Sequence, residues 1–248
     1  MKALVILPTY NEEGTIAEVI ERTLASTPEV DILVVDDASP DGTGQIADRI
    51  AAGEPRVRVM HRPAKGGLGP AYLAGFRDGL ERGYDALLEM DSDLSHDPGD
   101  VARLVAGAAT ADLVIGSRYV PGGNTVNWSP FRRKLSRAGT LYAKGMLGLP
   151  LGDATSGFRC YRRAVLETIP LHAIGSEGYA FQIEMAWRTW TLGFRTVEIP
   201  IVFTERREGA SKMSRRIVVE ALWRVFLWAF RRARPPKHPH ERSVVRDR

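Results

Sequence analysis

Five short apolar runs, each closing on polar residues, constrain this chain more than any other feature of its sequence. Ala3 to Pro8 (ALVILP), Asp31 to Val35 (DILVV), Val57 to Met60, Ala86 to Met90 (ALLEM) and Leu113 to Ile115 show little polar alternation. Runs of this kind are strands buried on both faces, as in a sheet covered by helices on either side. Helical segments separate them. After the first run, Ile16, Val19, Ile20 and Leu24 recur at helical spacing, with Thr9 and Asn11 as candidate caps. Helices are also expected from Thr43 to about Ala52 and from Pro70 to Leu80. Strand and helix alternating at this spacing predict an α/β, Rossmann-like fold with a mainly parallel sheet and helices on both faces.

Past residue 120 the pattern loosens. Gly122 to Asn124 and Trp128 to Pro130 read as loop, Arg132 to Leu147 as a basic helix, and Asp153 to Tyr161 as an irregular segment with some β character. Helices near 162–168 and 179–192 and a strand from Thr196 to Val202 complete the expected core. At 248 residues and 44% hydrophobic, the chain has ample core material, and no disulfide framework or structural metal is needed for folding. Cys160 is the single cysteine. The N-terminal apolar run ends too soon, at Pro8 before Asn11-Glu12-Glu13, for a signal sequence, so the chain is expected to start in the cytoplasm.

Charge is distributed unevenly. The net charge is +4, yet the segment from Glu205 onward carries thirteen Lys or Arg against five acids, +8, which leaves −4 for the rest. Such asymmetry predicts either an anionic partner for the C-terminal end or a solubilising tail.

In a doubly wound sheet, ligands bind beyond the carboxyl ends of the strands. The acids concentrate there: Asp36-Asp37 closes the second run and Asp91-Ser92-Asp93 the fourth. Two carboxylates on alternate positions after a buried strand form a hard oxygen site suited to Mg²⁺ or Mn²⁺ bridging a diphosphate; a capped turn is the bland alternative. A dinucleotide-binding dehydrogenase is excluded, because Thr9 to Glu13 holds no glycine fingerprint between the first strand and helix. Gly66-Gly67-Leu68-Gly69 lacks the Gly-Lys-Ser/Thr ending of a phosphate-binding loop and reads as a tight turn into the next helix.

Pro8-Thr9-Tyr10-Asn11-Glu12, Val35-Asp36-Asp37-x-Ser39-x-Asp41-Gly42-Thr43 and Asp91-Ser92-Asp93, in that order, resemble the family 2 glycosyltransferases of the GT-A fold. Gly116-Ser117-Arg118-Tyr119, Arg132 to Arg137, Asp153-x-Thr155-Ser156-Gly157-Phe158-Arg159, Gly178-Tyr179-x-Phe181-Gln182-x-Glu184 and Arg206…Gly209-x-Ser211-Lys212 extend the resemblance to polyprenol (dolichol) phosphate mannose synthases, over about residues 3–212. The resemblance implies a metal-dependent mannosyltransferase with GDP-mannose as donor and a polyprenyl phosphate in the membrane as acceptor. It implies that Pro8, Tyr10, Glu12, Val35 and Asp37 line a guanosine pocket, and that Asp91, Ser92 and Asp93 meet the donor, with Asp91 and Asp93 holding the metal. Arg118, Arg206 and Lys212 match contacts to sugar-nucleotide phosphates, and Arg118, Arg132 and Ser136 contacts to the acceptor phosphate. Ser95 stands where some relatives carry Gln, which puts a third metal contact in doubt. Arg159 and Glu184 read equally as a buried structural pair or as site residues.

The chemistry agrees with these residues independently. Sugar transfer from a nucleoside diphosphate needs its departing charge neutralised, which a carboxylate-held cation and Arg or Lys clamps supply. A phosphate nucleophile is already ionised at pH 7, so neither His96 nor His61 is needed as a base. The same reaction with UDP-glucose or another donor remains an alternative, as does a basic nucleic-acid-binding module. The carboxylates of the proposed pocket argue against nucleic acid.

Ile217 to Phe230 (IVVEALWRVFLWAF) is about 21 Å long as a helix, too short for a hydrocarbon core of about 30 Å. Glu220 and Arg224 share one face, leaving Trp223, Phe226, Leu227 and Phe230 for the other, with Arg215, Arg216, Arg231 and Arg232 flanking. This is the composition of an interfacial helix; docking on the sheet or on a membrane-anchoring partner protein is the alternative. The expected organisation is a catalytic domain over 1–212, a membrane-contacting helix over 213–232 and a disordered basic tail over 233–248, peripheral to the cytoplasmic face of a membrane.

Overall fold

The computed structural model describes residues 1–205 and 215–230. Its centre is a seven-stranded sheet built from β1 (Ala3–Thr9), β2 (Val30–Asp36), β3 (Val57–His61), β4 (Ala86–Glu89), β5 (Leu113–Ser117), β7 (Arg159–Arg162) and β8 (Thr196–Pro200), in the order β3-β2-β1-β4-β7-β5-β8. The helices are α1 (Ile16–Ser26), α2 (Thr43–Gly53), α3 (Leu68–Glu81), α4 (Val101–Gly107), α5 (Pro130–Leu147), α6 (Arg163–Thr168), α7 (Gly178–Thr191) and α8 (Arg215–Phe230). A short parallel ribbon joins β6 (Asn124–Val126) to β9 (Val202–Thr204).

The unalternating strands have the expected cause. Along β1, Leu4 and Ile6 enter one core with α3, α5 and α7, while Ala3, Val5 and Leu7 enter the other with α1, α2 and α4. Leu33 and Val35 divide from Ile32 and Val34 in the same way on β2. Both faces of the sheet are therefore buried, and every residue of the run must be apolar. Helix α3 sits unusually close: a Cβ on Gly75 would come within 2.6 Å of Ile6.

One expectation holds and two are corrected. The sheet is mainly parallel, as expected, with β7 alone antiparallel to its neighbours β4 and β5. Since β7 enters from the edge where β4 ends, the irregular residues 153–158 before it lie at that edge. Thr9 and Asn11 do not cap α1: Thr9 still belongs to β1, Asn11 has φ 59°, and the helix starts only at Ile16 after Thr15. The segment expected as one strand from Thr196 to Val202 divides at Ile201, where the chain leaves the sheet for the ribbon. Helix α4, which the sequence reading did not anticipate, covers the sheet through Val101 and Leu104.

Helix α8 docks on the body and still exposes an apolar face. Ala221 and Val225 are buried, Trp228 stacks on Trp187 at 5.8 Å, the Tyr142 hydroxyl donates to the Leu222 carbonyl and the Arg224 guanidinium donates to the Gly175 carbonyl. Val219, Leu222, Trp223, Phe226 and Phe230 remain exposed. Among the described residues, no helix is long and apolar enough to cross a membrane.

Candidate active site

The C-terminal ends of β1, β2 and β4 meet the start of β7 and of α7 around a cleft of about 400 Å³. Three turns at this edge hold non-glycine residues in the left-handed region, Asn11, Ala38 and Leu94, one after each of β1, β2 and β4. Such turns persist only where neighbours hold them, and they do. Asp36 accepts from the hydroxyls of Thr9 (3.1 Å) and Ser39 (2.5 Å). The backbone N–H groups of Asn11, Glu12 and Glu13 donate to Ser39, Thr43 and Asp41 respectively. The β2–α2 loop thus clamps the β1–α1 loop, and Tyr10 and Glu12 are presented to the cleft by that clamp. Asp37 accepts from Arg62 (2.6 Å) and from the N–H groups of Gly66 (2.8 Å) and Gly67 (3.1 Å), which fastens the glycine turn before α3. Gly67 has φ 92°, a turn conformation open to glycine, and its amide is already used by Asp37. The Lys65 ammonium lies 3.9 Å from the Tyr10 ring centroid.

Asp91 and Asp93 follow β4. The Ser92 hydroxyl between them donates to the Pro8 carbonyl (2.9 Å), and the Ser92 carbonyl accepts from Thr15 (2.7 Å), so both carboxylates are turned from a fixed backbone. Asp93 accepts from the Ser95 N–H (3.0 Å), and the Tyr72 hydroxyl stands 3.5 Å from Asp91. Ser95 itself is buried and does not line the cleft. His96 is buried against Phe158 and Phe203, and its Nδ1 accepts from the Asp91 N–H. Burial pushes its pKa down to about 4, so it is a neutral structural ring at pH 7. Among the described residues, no three His, Cys, Asp or Glu side chains converge as a metal cluster. Asp91 and Asp93 both line the cleft.

Arg132, at the start of α5, also lines the cleft. It pairs with Glu205 at 2.7 Å and lies 4.2 Å from the Trp128 ring. Arg118 is placed differently from the expectation. Its guanidinium is buried, donating to both oxygens of Asp153 (2.6 and 2.7 Å) and to Thr155 Oγ1 (2.9 Å). Burial pushes the Asp153 carboxyl up, but the charge and hydrogen bonds of Arg118 outweigh it and hold it below the usual carboxylate range. Arg118 therefore stands behind the cleft wall, which Thr155 forms.

A model of glycosyl transferase family 2 matches residues 4–170. The chain belongs to glycosyl transferase family 2. An undecaprenyl-phosphate mannosyltransferase of Micrococcus luteus is 56% identical over 228 residues, covering 92% of this chain and 94% of that protein. A polyprenol monophosphomannose synthase of Mycolicibacterium smegmatis is 52% identical over 232 residues, 93% and 88% of the two chains. Among solved structures, a mannosyltransferase from Pyrobaculum calidifontis in complex with GDP-Man and Mn²⁺ superposes with a TM-score of 0.62 at 20% identity, over 95% of this chain and 66% of that one. The α/β architecture of GT-A type is thus that of other glycosyltransferases.

Of the residues singled out from sequence, Pro8, Tyr10, Glu12, Asp37, Asp91, Ser92, Asp93 and Arg132 line the family 2 cleft together. Val35 is a core residue and Ser136 is half-buried in α5; neither lines it. Arg206 and Lys212 lie outside the described residues. Arg159 and Glu184 are both buried but do not pair. Arg159 donates to the carbonyls of Ala154, Ser156 and Gln182, while Glu184 takes Arg188 and Ser176. Lys65, Thr155, Gly157, Glu177, Tyr179 and Gln182 also line the cleft and carried no assigned role. Four of them lie in segments already quoted for the resemblance; only the fold reveals that these segments face Asp91.

Proposed function

We propose that this family 2 enzyme is an inverting glycosyltransferase that moves mannose from GDP-mannose to a polyprenyl phosphate, giving a β-linked mannosyl phosphate. The observation that carries the reading is one cleft lined by Asp91, Asp93 and Arg132 together. The relatives at 56% and 52% identity, whose names give the mannosyl group and the polyprenyl phosphate, support it.

Asp91 and Asp93 would hold a divalent cation, Mg²⁺ or Mn²⁺, which neutralises charge on the departing diphosphate. The residues of the chain do the rest. Pro8, Tyr10, Glu12 and Asp37 border the nucleoside end, over β1 and β2. Arg132 holds the acceptor phosphate beside a diphosphate that repels it, and Glu205 yields its partner to that anion. A phosphomonoester is substantially ionised at pH 7, so its oxygen attacks without a base, and His96, neutral and stacked on Phe158, takes no proton. In-line attack on an α-linked donor inverts the anomeric centre.

The exposed face of α8, from Val219 to Phe230, is the surface that meets the cytoplasmic leaflet where the acceptor resides. Its docked face joins it to α7, whose first turn borders the cleft. The protein is then peripheral.

The test offers purified protein and polyprenyl phosphate GDP-mannose and UDP-glucose in turn, with and without EDTA. Mannosyl transfer abolished by EDTA, and lowered by orders of magnitude in Asp91→Asn, is the expected result. Glucosyl transfer alone, or full activity in excess EDTA after dialysis, overturns the reading.

A further inference from the structure

Gln182, in the second turn of α7, is one of the polar side chains of the cleft that the reaction just described leaves unused. It is 2% exposed, and neither its Nε2 nor its Oε1 has a hydrogen-bond partner among the described residues. Beside it is the Glu89 carboxyl, which burial pushes up to about 7 against the lowering effect of Arg159 and of this amide. The two groups do not reach hydrogen-bond geometry, and both Glu89 oxygens are likewise without a partner among the described residues. Its backbone is fixed, since its carbonyl accepts from Arg159 at 2.7 Å. A buried amide with neither end paired costs on the order of 1–3 kcal/mol per group, so its retention in a cleft asks for a ligand.

Gly157 shows where that ligand lies. A Cβ on Gly157 would sit 3.6 Å from Gln182 Nε2 and 3.9 Å from both carboxylate oxygens of Asp91, and Gly157 and Gln182 both line the cleft. The missing side chain leaves open the space between the amide and the carboxylate. Sheet order fixes the direction: β2 and β1 lie on one side of β4 and β7 on the other. With the nucleoside over β1 and β2 and the diphosphate at Asp91, the group beyond the diphosphate extends toward Gly157 and Gln182.

The chemistry of the amide narrows that group. Nε2 only donates and Oε1 only accepts. A phosphate accepts only, and would leave Oε1 unpaired. A polyprenyl chain satisfies neither. Sugar hydroxyls, each donor and acceptor, satisfy both. We propose that Gln182 hydrogen-bonds the hydroxyls of the transferred hexose and is a determinant of which sugar this enzyme moves. This rests on the donor orientation of the proposed function and adds a sugar contact to it.

The test uses the full-length enzyme. First, wild type is assayed with GDP-mannose and with its 2-, 3-, 4- and 6-deoxy analogues. Discrimination of about tenfold or more at one or two hydroxyls is expected, and a flat series overturns the inference. Second, Gln182→Met, similar in length but unable to hydrogen-bond, is measured for GDP binding by calorimetry and for transfer. GDP affinity and melting temperature should stay near wild type, kcat/KM for GDP-mannose should fall about tenfold or more, and the preference over the sensitive deoxy analogue should collapse. Equal weakening of GDP, which has no sugar beyond its ribose, would instead assign Gln182 to the base or the diphosphate. Unchanged discrimination in the variant overturns the inference while leaving mannosyl transfer standing. Failure of wild type to use GDP-mannose overturns the parent reading.

Discussion

Arg118 and Asp153 offer the sharpest test of how the cleft wall is built. The side chains are 4% and 0% exposed and joined by two short charge-assisted bonds, with the Arg118 backbone N–H donating a third to the same carboxylate (3.1 Å). Asp153→Ala strands a guanidinium among Tyr119, Trp128 and Phe203, whose rings lie within 5.6 Å of it. Breaking a buried pair from one side costs about 3–5 kcal/mol. In a chain of this size that lowers the melting temperature by roughly 6–20 °C. Arg118→Met should cost a comparable amount, while the double variant Arg118→Met/Asp153→Leu should recover much of it, since neither charge is then left alone.

The pH dependence follows from the depressed pKa of Asp153. Its contribution is fully present above the unfolded value of about 3.9 and is lost as pH falls through the lower folded value. Urea unfolding should therefore separate wild type from Asp153→Asn by a constant amount between pH 5 and 8, with the gap closing only below pH 4. An Arg118→Met protein that melted within about 2 °C of wild type, yet showed a tenfold higher KM for the acceptor phosphate, would refute this reasoning. The fork would then be serving the substrate and not Asp153.

Arg132 carries the opposite expectation, because its partner Glu205 is partly exposed and so exchangeable. Arg132→Ala should raise the acceptor KM by about tenfold with the donor KM and melting temperature little changed; an equal rise in both KM values counts against it. For α8, the docked face makes truncation a poor test, since it would uncover Trp187. Replacing Trp223, Phe226 and Phe230 together by Gln should leave melting within a few degrees but reduce flotation with anionic liposomes by at least about tenfold. Unchanged flotation would assign membrane contact to another part of the chain.

How much of this was legible in the sequence depended on the range of the interaction concerned. The apolar runs of β1 and β2 report a local condition, burial on both faces, and their strands are placed correctly to within a residue or two. Asp91 and Asp93 were legible for the same reason: a strand end and a two-residue spacing are local. The pairing of Arg118 with Asp153 was not, because that carboxylate lies thirty-five residues away and is brought in ahead of the antiparallel β7, whose direction no periodicity encodes. Arg159 and Glu184 look complementary on paper, yet Arg159 is consumed by the carbonyls of Ala154 and Ser156 in the turn before β7 and of Gln182 in α7. Docking on protein and an exposed apolar face are not exclusive for α8, which buries Ala221 and Val225 and still exposes Trp223, Phe226 and Phe230. In the Asp36 to Thr43 motif, Ser39, Asp41 and Thr43 spend their side chains on the backbone of residues 11–13. A motif of this density is evidence first of the frame that aims a cleft. The residues that touch substrate are then sought among the side chains that the frame leaves unbonded and turned inward, which is the position of Gln182.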